Sequence, residues 1–161
     1  MKKNVIVSLA DANYFDLLNE LIDSIKSFEK SKDIAVCILD AGLSEQQKDI
    51  LSKKVDEIKS AEWDIDVPAF KVKEKEWLKS QVSRAFLPKY FPSYEKYLWI
   101  DCDAWVSNWD SVELYFKACE DGKLGITQTL GPGYKIMSKV NWLFGKIAVI
   151  KSQNFKHAIK S

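Results

Sequence analysis

Hydrophobic and polar positions alternate along the chain in blocks of two kinds. Val5-Ile6-Val7-Ser8-Leu9-Ala10 is a short apolar run rich in β-branched residues and predicts a buried strand. Asp11-Ala12-Asn13 breaks it, and Leu18, Leu21, Ile22, Ile25 and Phe28 then recur at helical spacing, predicting an amphipathic helix over about 14–29. Ile34 to Leu39 predicts a second buried strand, ending at Asp40-Ala41-Gly42. Ser44 with Gln47 has the spacing of a capping box, for a helix carrying Leu51, Val55 and Ile58 inward. Trp63 to Phe70 reads as a weaker third strand, and Lys71 to Glu76 as a loop or helix start. Val82, Ala85 and Phe86 predict a helix over about 78–91, perturbed by Pro88 and stopped by Pro92.

Tyr97-Leu98-Trp99-Ile100 is a strand that runs into Asp101-Cys102-Asp103. Asp110 with Glu113 would cap a further helix, with Gly122 at its C-cap. Leu124 to Thr127 and Ile147 to Ile150 are strand candidates separated by a Gly/Pro/aromatic loop, Gly131 to Phe144. Strands alternating with helices predict an α/β fold with a mostly parallel central sheet flanked by helices. Ligands of such sheets sit at the carboxyl ends of the strands. Asp11, Asp40, Asp101 and Asp103 all fall at such ends.

The chain of 161 residues fits a single domain, 1–161, and can bury a core without a metal or disulfide to hold it. Its net charge of +1 offers no electrostatic case for nucleic acid or an anionic membrane as partner. No apolar run has the length of a transmembrane segment, and the start of the chain does not read as a secretory signal. Cys37, Cys102 and Cys119 are odd in number and far apart, which points to a reducing, cytoplasmic compartment and gives no zinc or disulfide framework. Charge adds one further point. Arg84 is the single arginine among 24 basic residues, so a planar, bidentate donor is available at one position alone.

Candidate chemistry centres on Asp101-Cys102-Asp103. Two carboxylates just past a buried strand can converge on a hard divalent cation, Mg²⁺ or Mn²⁺, whose shell is completed by water and substrate phosphate. A metal there neutralises a diphosphate and makes it a better leaving group. The spacing alone is a weak signal, because Asp64-Ile65-Asp66 repeats it inside a strand candidate, where both carboxylates would share a solvated face. Asp11 and Asn13 lie in the first strand-to-helix turn and read equally well as turn and cap residues or as ligand contacts. Arg84 reads equally as an ion-paired surface residue or as a site residue. His157 reads as a solvated histidine, Cys102 as a packing residue pointing away from its two neighbours, and Trp99, Trp105 and Trp142 as core residues. Walker, dinucleotide and Gly-x-Ser-x-Gly signatures are missing.

Four blocks taken together, Val5–Asn13-Tyr14, Ile34–Leu39-Asp40-Ala41-Gly42-Leu43-Ser44, Arg84-Ala85-Phe86-Leu87-Pro88 and Tyr97–Ile100-Asp101-Cys102-Asp103, resemble the family 8 glycosyltransferases in order and spacing. The resemblance runs from about Val5 to Gln128. It implies a GT-A-like, Rossmann-like nucleotide-sugar-binding fold, a UDP-sugar donor, and Mn²⁺ or Mg²⁺ as cofactor. It also implies a glycan, lipid-linked or protein hydroxyl acceptor and retention of configuration. By the same resemblance Asp11 and Asn13 lie beside the nucleoside, Arg84 contacts the donor sugar or diphosphate, and Asp101 and Asp103 hold the metal, with Asp101 also near the donor. No nucleophile can be named. The later part departs from the family pattern. Leu143-Phe144-Gly145-Lys146-Ile147 lacks the asparagine of the family's Asn-Ala-Gly-Val-like strand start, and His157-Ala158-Ile159-Lys160 does not match its His-x-x-Gly-x-x-Lys-Pro-Trp segment. The chain is therefore expected to be the nucleotide-binding core without the closing segment, which supplies the family's third metal ligand and a phosphate-binding lysine.

Two other readings remain. With that segment missing, the chain could be an inactive or partner-dependent nucleotide-sugar-binding module. A haloacid-dehalogenase-type phosphohydrolase also places Asp-x-Asp after an apolar strand. Here, however, the motif comes late, Ala104-Trp105 follows it, and no second paired-aspartate motif appears.

Overall fold

The computed structural model describes residues 2–125 together with 141–143 and 146–148. The chain forms two compact units, Met1–Gly125 and Ile126–Ser161. The first is built on four strands: β1 (Asn4–Ala10), β2 (Ile34–Asp40), β3 (Glu57–Ser60) and β4 (Lys96–Trp99). Their order is β3-β2-β1-β4, and every pairing is parallel. This is the expected α/β class with a parallel, helix-flanked sheet. In the second unit the described part is an antiparallel pair, β5 (Asn141–Leu143) with β6 (Lys146–Ala148).

The apolar runs of β1 and β2 are buried on both faces, as a central parallel strand requires. Period-two alternation sorts them. Ile6 and Ala10 face one core with Val36 and Ile38. That core is closed by Leu18, Leu21, Ile22 and Ile25 of α1 (Phe15–Lys26), by Leu51 of α2 (Glu45–Ser52), and by Val112 and Phe116 of α6 (Trp109–Ala118). Val5, Val7 and Leu9 face a second core with Cys37 and Leu39, closed by Leu87 and Tyr90 of α5 (Leu87–Tyr90) and by Phe91. Two shorter helices, α3 (Ala69–Val72) and α4 (Lys79–Ser83), precede α5.

Several elements differ from the sequence expectations. Helix α2 stops at Ser52, and Ile58 belongs to β3 instead of the helix face. Of Trp63 to Phe70, expected as the third strand, residues 63–68 have no strand structure and Ala69 and Phe70 open a short helix. The helix expected over 78–91 is two short helices, with Pro88 in the first turn of α5, where the missing N–H costs no hydrogen bond. The cap of α6 is Asn108, whose side chain accepts from Asp110 N, and not Asp110 itself. Leu124 and Gly125 form no strand, and Ile126 and Thr127 lie outside the described residues. Asn141–Leu143, expected within a loop, pairs as a strand; the rest of that loop, Val149, Ile150 and His157 lie outside the described residues. The Ser44–Gln47 capping box is present, and Gly122 has the positive φ of +70° expected of a terminating glycine.

Candidate functional site

The carboxyl ends of β1, β2 and β4 are held together by their own turns. Ala41 N donates to Ala10 O at 3.0 Å and Ala12 N to Gly42 O at 3.1 Å. Asp40 Oδ1 accepts from Gly42 N and Leu43 N at 2.7 and 2.6 Å, and Gly42 takes φ +129°, a conformation that L side chains avoid. Asp40 is thus a turn residue. Asp11 Oδ1 caps the short 3₁₀ turn Ala12–Tyr14, accepting from Asn13 N at 2.9 Å and Tyr14 N at 3.2 Å. The cap reading of Asp11 is therefore realised with one oxygen. Its second oxygen and the exposed Asn13 side chain have no partner among the described residues.

Pairing between β1 and β4 continues one residue beyond the strand, through Ile100 N to Val7 O at 3.1 Å. The chain then leaves the sheet at Asp101. The loop that follows is anchored on α1. Val106 N donates to the buried Ser24 Oγ at 3.1 Å, and Trp109 packs on Phe28 with ring centroids 5.5 Å apart. Alternation places Cys102 with the first core, where it packs beside Ile100. Burial, and then the charges of Asp103, Asp101 and Asp11, push its thiol up to about 11, so it stays protonated at neutral pH. Cys102 is the expected packing residue.

Arg84 follows α4 and meets Asp101. Its Nε donates to Ser80 O at 2.9 Å, and its Nη2 lies 3.4 Å from Asp101 Oδ1. Its guanidinium lies over the Trp99 ring, 5.1 Å from the centroid. Trp99 Nε1 donates to the same Asp101 Oδ1 at 2.7 Å. The Asp101 side chain is 59 % exposed, so this ion pair adds little to stability and is open to a ligand. Asp103 is exposed and has no hydrogen-bond or ion-pair partner among the described residues.

The two aspartates offer hard carboxylate oxygens only, a donor set that suits Mg²⁺ or Mn²⁺ with water and phosphate completing the shell. Among the described residues no group of three or more His, Cys, Asp or Glu side chains converges.

Of the other Asp-x-Asp pair, Asp66 is exposed, but Asp64 is not on the solvated strand face expected. The Asp64 side chain is 1 % exposed. It accepts from Tyr90 Oη at 2.7 Å and from Lys89 Nζ at 2.9 Å, tying the irregular segment after β3 to α5. Trp105, expected in the core, is 62 % exposed. Trp99 is half-buried against the second core, as expected, but its polar edge serves Asp101, which the sequence reading missed. The available signal was its position two residues before Asp101, on the same side of an extended chain.

Comparison with known proteins adds to this geometry. No match was found among curated proteins. Two solved structures of LgtC are similar. One is of an active-site mutant; the other is of the galactosyltransferase in complex with donor and acceptor sugar analogs. Each is 23 % identical with a TM-score of 0.49, over 67 % of this chain and 41 % of that chain. This chain thus spans less than half the length of those proteins. The family model for glycosyl transferase family 8 matches residues 5–156, taking in β1, the Arg84 segment and the Asp101–Asp103 turn, and the chain belongs to that family.

Proposed function

We propose that this chain is the donor-binding core of a metal-dependent glycosyltransferase that takes a nucleotide sugar, with UDP-sugar as the donor class. The supporting observation is the meeting of Arg84 and Asp101, 17 residues apart in the chain, next to Asp103, which has no partner among the described residues, at the carboxyl end of a parallel sheet. Family membership sets aside the phosphohydrolase reading of the Asp-x-Asp turn. Asp101 and Asp103 would hold Mn²⁺ or Mg²⁺, which supplies charge neutralisation for a departing nucleoside diphosphate. Arg84 would bind two oxygens of the donor sugar or diphosphate, a task its planar fork performs and an ammonium does not. Asp11 and Asn13 would lie beside the nucleoside. The acceptor would be a glycan, lipid-linked or protein hydroxyl, and the outcome retention.

A cytoplasmic location belongs to the same proposal and is supported by Cys37, Cys102 and Cys119 being free thiols. Among the described residues no helix is long and apolar enough to cross a membrane.

Calorimetric titration of the chain with UDP, with and without Mn²⁺, tests the proposal. Metal-dependent binding that is lost in Asp103→Ala is expected. Binding that ignores both the metal and Asp103 overturns it. Sugar transfer or hydrolysis from a UDP-sugar by the same chain separates an active enzyme from a binding module.

A further inference from the structure

Trp99 ends β4, with its backbone paired to Val7 of the central strand and its ring half-buried against the second core. The ring is therefore fixed from two sides, while its edge reaches the exposed Asp101. Both donors on that carboxylate, Trp99 Nε1 and Arg84 Nη2, engage Oδ1. Oδ2 has no partner among the described residues. An indole N–H is a donor only, so the Asp101 oxygen it meets is an acceptor. The face of the same ring carries the Arg84 guanidinium, whose Nη1 has no partner among the described residues. One aromatic side chain thus sets the orientation of an anionic and a cationic group at once.

We propose that Trp99 is a positioning residue of the donor site: its N–H fixes Oδ1 of Asp101 so that Oδ2 is the oxygen offered to the metal, and its ring face holds Arg84 toward the same ligand. The inference rests on the proposed function above, because it assigns Trp99 a task toward the metal and the nucleotide that Asp101 and Arg84 would bind. Partners that orient a ligating group are worth about ten- to a hundredfold in metal affinity. For an exposed carboxylate the low end applies.

The test uses the full chain, with UDP and Mn²⁺ as probes in calorimetry and thermal melts as the check of folding. Trp99→Phe keeps a ring and removes the N–H. It is expected to weaken Mn²⁺-dependent UDP binding about tenfold. In an Asp101→Ala background the same substitution is expected to change UDP affinity by less than about twofold, because the group it acts through is gone. Trp99→Leu, which also lacks a donor, is compared in the same two backgrounds if Trp99→Phe does not fold. Equal affinities for wild type and Trp99→Phe overturn the inference. So does an equal loss in both backgrounds, which is the signature of a merely structural role. Wild-type protein that binds UDP without regard to Mn²⁺ overturns the proposed function instead, and this inference with it.

Discussion

Two Asp-x-Asp pairs of identical spacing occur in this chain, and their first aspartates have opposite fates. Asp64 lies in an irregular segment after the edge strand β3, and its carboxylate is enclosed by Tyr90 and Lys89. Asp101 leaves the sheet directly after β4, with one oxygen held by Trp99 and Arg84, while Asp103 stands exposed without a partner among the described residues. A carboxylate whose oxygens are both committed to protein donors contributes to the fold. One with an unsatisfied oxygen at a sheet end can contribute to a ligand. Spacing is the same in both cases, so partners and burial decide the role.

The sharpest way to break this contrast is Asp103→Ala. Half of the two-carboxylate set is lost, and Mn²⁺-dependent UDP affinity is expected to fall about a hundredfold, ~2.7 kcal/mol, with the melting temperature unchanged because the side chain supports nothing else among the described residues. Calorimetry beside a thermal melt reads both. Arg84→Lys comes next. It keeps the charge and removes the planar fork, so UDP-sugar affinity is expected to drop by about 1.5–3 kcal/mol, with free UDP affected less. Equal donor affinity in the two proteins would make Arg84 an ordinary surface ion-pair residue.

Asp64→Ala should show the reverse pattern. The Tyr90 hydroxyl loses its charged acceptor, and urea denaturation is expected to show about 2 kcal/mol less stability, with UDP binding by the folded protein unchanged. Loss of UDP binding would join the two Asp-x-Asp regions into one site.

The smallest effect is alkaline. Burial and the hydrogen bond to Asp64 raise the Tyr90 phenol, while Glu62 and then Asp64 hold the Lys89 ammonium above its usual value. Both folded-state values are raised, so their contribution is complete below the unfolded pKa values of roughly 10–10.5 and is lost as pH rises beyond them. Stability should therefore fall above about pH 10. In Asp64→Ala the fall should be shallower. Denaturation midpoints measured from about pH 9 to about pH 11, compared for the two proteins, give the difference.

The parts of the fold that were legible share one property: a strong local signal. β1 and β2 are buried on both faces, so their runs are apolar but for Ser8, and the Ser44–Gln47 box closes on itself over three residues. β3 was not legible. It is a four-residue edge strand, too short for alternation to declare itself, and Ile58 sits three residues after Val55, which imitates a helix face. The helix expected over 78–91 divides because Pro88 begins a new helix instead of kinking one. Trp105 misled for a different reason: aromatic character predicts burial only where the chain has something to pack against, and Trp105 lies in the exposed turn after Asp103.

For the candidate site, sequence alone determined which residues stand at strand ends, because the apolar runs of β1, β2 and β4 stop at Asp11, Asp40 and Asp101. It also singled out Arg84 by composition and Cys102 as a packing residue by alternation. Only the tertiary structure decided that Asp40 is consumed by its own turn and that Asp64 is locked to Tyr90. The same holds for Arg84, Trp99 and Asp101 meeting at one oxygen. Strand ends follow from local hydrophobic pattern, which each segment carries by itself. A shared carboxylate depends on where a helix from elsewhere in the chain docks, and that is set by how the two faces of the sheet are filled.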